Sequence, residues 1–177
     1  MTILVAAAPV LSATGRVPSP RALYKALLAA QLPQSELPAG FSSAEAKPKQ
    51  TAGNPKRHHA VGEVEIDFNG GAGIVYVIFP TRADALANHG DGVRALKTQK
   101  GVTKVQSPVP GLPNPSVILN ASLNGLGVTQ VSFVADSVEI NAQTLRPNAK
   151  SGDVKKTLSL ARFAIQHLKT VEQHAAG

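Results

Sequence analysis

Apolar and polar residues alternate strictly between Glu63 and Phe68: Val64, Ile66 and Phe68 are apolar, while Glu63, Glu65 and Asp67 are acidic. A period of two is that of a strand with one face buried and the other wet. Ile74 to Phe79 is instead an unbroken apolar run, which fits a central strand covered on both sides. Between them, Asn69 to Gly73 supplies residues that tolerate the positive φ angles of a tight reversal. Pro80 cannot donate to a ladder and ends the second strand. Thr81, with Asp84 placed as in a variant capping box, predicts a helix over Arg82 to about Lys97. This unit, Val61 to Gly90, is the nucleus around which the remaining elements are arranged.

Upstream, Ser19 and Pro20 read as the N-cap and first position of a helix. Leu23, Leu27 and Ala30 then recur at helical spacing, and Pro33 and Pro38 stop it. In the Arg82–Lys97 helix the predicted inner face is Leu86, Val93 and Leu96. Gly90 and Gly92 each weaken its middle by roughly 1 kcal/mol relative to Ala, so a break or kink is expected there. His89 reads as a local cap or a surface residue. Val102 to Gln106 predicts a short strand. The prolines at 108, 110, 113 and 115 make the next stretch a stiff extended connection. Its Pro110-to-Pro113 pattern matches a bare docking motif but is explained as structure.

Strands are then predicted over Ser116 to Ser122, Val128 to Ala135 and Val138 to Thr144. Their connections are too short for anything but antiparallel neighbours. Thr129, Val131, Phe133 and Ala135 share one face of the middle strand. Val138, Ile140 and Ala142 are expected inward, and Glu139, Asn141 and Gln143 outward. From Asp153 to about His174, the residues Val154, Leu158, Ala161, Ile165, Leu168 and Val171 form a helical stripe widened by Leu160 and Phe163. The fold class is therefore α+β, an antiparallel-dominated sheet packed by an internal helix and a long C-terminal helix. Residues 1–18 read as an apolar leader-like arm, and 19–177 as a single α+β domain.

Composition narrows the chemistry. The 177 residues, 43% hydrophobic, suffice for a sizeable core. With 4% aromatics and no Trp, that core must be built from Ala, Val, Leu and Ile. The absence of Cys excludes disulfides, thiolate catalysis and Cys-ligated metals. The net charge of +7 favours anionic partners, unless it only keeps the chain soluble. It concentrates in Ala46 to His59, where Lys47, Lys49, Lys56 and Arg57 precede His58 and His59. That segment lacks apolar periodicity and is expected to be an exposed loop. It is the candidate anion-binding segment, toward an anionic surface or polymer, and its charge would grow below about pH 6.5.

Ile3 to Leu11, followed by small residues from Ser12 to Gly15, looks like the apolar part of a signal peptide. Export or the cell envelope is the expected location. The missing basic segment before the run keeps a cytoplasmic location as the alternative. No apolar run reaches the ~18 residues of a membrane span.

The search for motifs excludes more than it finds. No HExxH is present, and His167 with His174 lacks a third ligand nearby. Glu63, Glu65 and Asp67 could hold a divalent cation, but the wet face of a strand paired to a nearby Lys or Arg explains them. Gly70 to Gly73 leads into a strand, whereas phosphate loops lead into a helix. Neither GxSxG nor SxxK occurs in a usable context. Tyr76 is the one sheet aromatic with a polar handle, and it lies in an apolar run, so nucleic acid would lack a stacking surface. No catalytic residue, metal site or cofactor is expected.

Three segments carry a family resemblance. They are LYKALLAAQLPQSELPAGF (Leu23 to Phe41), VYVIFPTRADA (Val75 to Ala85), and VSFVADSVEINAQT followed later by LARFAIQHL. In order and pattern these resemble the extracellular sensor-like domains of mycobacterial membrane serine/threonine kinases and the lipoproteins similar to them. Unlike many of those, this chain has no cysteines for disulfides or a lipid anchor. The resemblance implies a non-catalytic ligand-sensing or envelope-binding module and transfers no functional residue. A module for a small or apolar ligand is thus the expected function. A small pocket enzyme without a recognisable motif and a polyanion or nucleic-acid binder acting through the basic loop are the alternatives.

Overall fold

In chain order the elements are α1 (Pro20–Ala29), a 3-10 turn (Gln34–Glu36), β1 (Pro48–Gln50), β2 (Gly62–Phe68), β3 (Ala72–Ile78), α2 (Arg82–Thr98), β4 (Val102–Gln106), β5 (Ser116–Leu123), β6 (Leu126–Ala135), β7 (Val138–Pro147) and α3 (Val154–Ala176). They come from a computed structural model that describes residues 17–42, 46–51, 59–68 and 70–176. The leader-like stretch up to residue 16, together with Lys56, Arg57 and His58, lies outside the described residues.

The local signals act as chemistry dictates. The Ser19 side chain accepts from the Ala22 N–H, with Pro20 at the first helical position. Thr81 accepts from the Asp84 N–H. Gly70 and Gly71 take positive φ at the β2–β3 reversal. Asp153 caps α3 through its carboxylate, which accepts the Lys156 N–H at 3.0 Å.

The seven strands form one antiparallel sheet in the order β1-β2-β3-β7-β6-β5-β4. Successive side chains on a strand point to opposite faces, so Tyr76 and Val77 separate the molecule into two sides. On the Tyr76 side lie α1 and α3, over a large core that includes Leu27, Ile66, Ile74, Phe133, Ile140, Leu160 and Leu168. Each such side chain contributes roughly 1.5–3 kcal/mol when fully buried. On the Val77 side lies α2, over a small cluster of Val77, Phe79, Ala85 and Val134.

Four details depart from the pattern-based expectation. Pro48–Gln50, expected within an exposed loop, is an edge strand paired to β2. Edge pairing uses backbone groups and needs no apolar period, so the pattern carried no sign of it. Helix α2 runs unbroken through Gly90 and Gly92. Its buried residues are Ala85 and His89, while Leu86 is 36% exposed. Finally, Glu139 does point away from the main core, yet it is 5% exposed because α2 covers that face.

Candidate functional site

Of the basic segment, Lys47 is exposed just before β1, and His59 is exposed at φ 59°. Lys49 projects from β1 toward the wet face of β2. Its Nζ donates to Asp67 at 2.5 Å and lies 3.7 Å from Glu65. The hydrogen bond to Asp67, the charge of Asp67 and then that of Glu65 raise its pKa. Thr51 donates to Glu63 at 2.7 Å. The acidic face of β2 is therefore answered by β1. Among the described residues no group of three His, Asp or Glu side chains is placed to hold a metal.

Two buried polar constellations were not legible in the sequence. Under α2, His89 Nδ1 lies 3.0 Å from Ser132 Oγ, and Ser132 donates to Glu139 Oε1 at 3.0 Å. Asn88 donates to the other carboxylate oxygen at 2.5 Å. With the serine proton spent on Glu139, His89 must donate to Ser132 through Nδ1. The protons thus run from histidine to serine to carboxylate. A nucleophilic serine needs the reverse, a histidine that takes its proton while the carboxylate holds the other ring nitrogen. Serine, histidine and glutamate here form a structural relay that seats α2.

Under α3, Tyr76 Oη lies 3.1 Å from the Ala164 carbonyl and 3.1 Å from His167 Nδ1. Its single proton serves the carbonyl, so Nδ1–H donates to the phenol. Phe163 stacks on the imidazole at 5.7 Å. His167 Nε2 is buried with no hydrogen-bond partner. Burial lowers the His167 pKa to about 4 and raises that of Tyr76. His174, weighed with His167 as a ligand pair, is exposed and lines a groove against Ala26, Ala29 and Ala30.

A concave surface with ligand-like chemistry lies at the end of the sheet where β6 turns into β7. The turn is a short one, with Asp136 at φ 49°, and it meets the C-terminal part of α3. One hollow of about 210 Å³ is lined by the apolar Val17, Pro18, Leu23 and Ala176 together with Asp136 and Glu172. A second of about 260 Å³ shares Asp136 and Glu172, and adds Val134, Leu168, Arg82 and Lys169. Glu172 has its pKa raised by burial first and by the charge of Asp136 second, against a smaller lowering by Lys169. Neither carboxylate makes a hydrogen bond or ion pair among the described residues. Sequence reasoning passed over both, because Asp136 reads as a turn residue and Glu172 as the solvent side of a helix.

The sequence matches no family model and no curated protein. Among solved structures, the chain is similar to the extracellular domain of PknH from Mycobacterium tuberculosis. The TM-score is 0.50 at 11% identity, over 66% of this chain and 68% of that one. At that identity the likeness concerns the fold.

Proposed function

We propose that this chain is a non-catalytic binding or sensing module of the exported, cell-envelope kind, and that it takes a small, partly apolar ligand in the cleft around Asp136 and Glu172. The observation that carries the reading is the paired hollow itself. Apolar walls from three separate elements converge on two titratable groups, one of them perturbed by burial, which is the usual make-up of a ligand site. The likeness in fold to an extracellular domain supports the exported setting. At about 210 and 260 Å³ the hollows suit a ligand of few heavy atoms, since the pockets that hold drug-sized ligands measure ~300–1,000 Å³.

The test is a fragment screen by NMR on the full chain, paired with Ala176→Trp. The indole would fill the first hollow at the end of α3, away from the main core. Binders that shift the amides of Leu23, Ser137 and Ala176 in the wild type, and lose that effect in the variant, bear the reading out. A screen whose hits all map elsewhere would sink it. Fractionation of the native host for the intact chain tests the exported setting separately.

A further inference from the structure

The first hollow has an imbalance that bears on what it holds. Its lining contains Asp136 and Glu172 and no lysine or arginine. Glu172 is half-buried, and Asp136 is near enough to push on its ionisation. Two like charges beside an apolar wall repel one another, and the partial burial of Glu172 weakens the water that would screen it from the exposed Asp136. Neither forms a hydrogen bond or ion pair among the described residues, and the charge of Lys169 offsets only part of what burial and Asp136 do to Glu172. Arg82 and Lys169 line the second hollow, on the other side of the same pair. An anionic or neutral polar ligand in the first hollow would leave the repulsion in place. A cation would relieve it, and the apolar wall of Val17, Pro18, Leu23 and Ala176 suits a short hydrocarbon body.

We infer that the ligand of this cleft is an amphipathic amine, with a positively charged nitrogen between Asp136 and Glu172 and a short apolar body against Leu23 and Ala176. This rests on the binding role proposed for the cleft and adds the charge of the ligand. The second hollow, with Arg82 and Lys169, gives room for an anionic group on the far side of the nitrogen.

The experiment titrates the full, isotope-labelled chain with n-pentylamine and, separately, with n-pentanol, following backbone amides by NMR at neutral pH. The amine should shift Leu23, Ser137, Gln173 and Ala176, with the alcohol at least about tenfold weaker, a gap of about 1.4 kcal/mol. Glu172→Gln should weaken the amine about tenfold and leave the alcohol unchanged. Asp136→Asn reads the same charge from the turn, should the helix variant fold poorly. Equal binding of amine and alcohol, or indifference to both variants, overturns the amine inference while leaving the cleft as a ligand site. Silence of the cleft toward both probes overturns the inference and the binding role together.

Discussion

Among the described residues each face of the sheet buries one histidine, His167 of α3 at 3% exposure and His89 of α2 at 4%. Their surroundings are opposite. His167 is wedged among Tyr76, Phe163 and the backbone of its own helix, with one ring nitrogen bare. His89 sits in a polar chain that ends on a carboxylate. The difference follows from how each helix is held. Helix α3 presents eight buried residues to a broad apolar core, so one imperfectly satisfied ring is tolerated. Helix α2 presents only Ala85 and His89, and its seat depends on hydrogen bonds being complete.

The largest effect that separates the two faces is acid sensitivity at His167. A histidine whose folded pKa lies below its unfolded value binds fewer protons when folded. Stability from keeping His167 neutral is therefore full above about pH 6.5 and drains as pH falls toward about 4. The loss across that window is on the order of 3 kcal/mol. Urea denaturation at pH 7 and at pH 4.5 should show it. His167→Leu should flatten the slope, while Tyr76 keeps its bond to the Ala164 carbonyl. A wild-type slope that survives this substitution would place the acid sensitivity elsewhere.

The second effect probes the α2 face. Glu139→Ala removes the acceptor of both Ser132 and Asn88, and leaves one buried and one half-buried donor unpaired at a cost of roughly 2–3 kcal/mol. Hydrogen exchange should rise through Arg82–Thr98 while the amides of α3 stay protected, because the large core is untouched. Uniform loss of protection in both helices would show that the two faces are not separately held.

The smallest effect lies at the sheet edge. Lys49→Ser breaks the contacts to the exposed Asp67 and the half-buried Glu65, which water and salt screen around the exposed lysine. Its denaturation midpoint should coincide with that of the wild type in moderate salt. A clear shift would mean that the short strand β1 depends on this cation.

Much of the fold was legible from residues alone. The alternation from Glu63 to Phe68, the apolar run to Phe79 and the caps at Ser19 and Thr81 are local statements, and backbone chemistry reads them locally. The three later strands appeared where short connections demanded them, one or a few residues longer at their ends. What could not be read is whatever depends on two distant elements meeting. Glu139 was placed on the right face of its strand, but only the arrival of α2 made that face an interior. His89 reads as a surface residue until Ser132 and Glu139 stand beneath it, 43 and 50 positions away in the chain. The cleft shows the same division. Asp136 reads as a turn residue and Glu172 as the solvent side of a helix, and nothing between them in sequence relates the two. Periodicity determines which way a side chain points, whereas only tertiary packing decides what it finds there, because desolvation and charge coupling act through space and not along the chain.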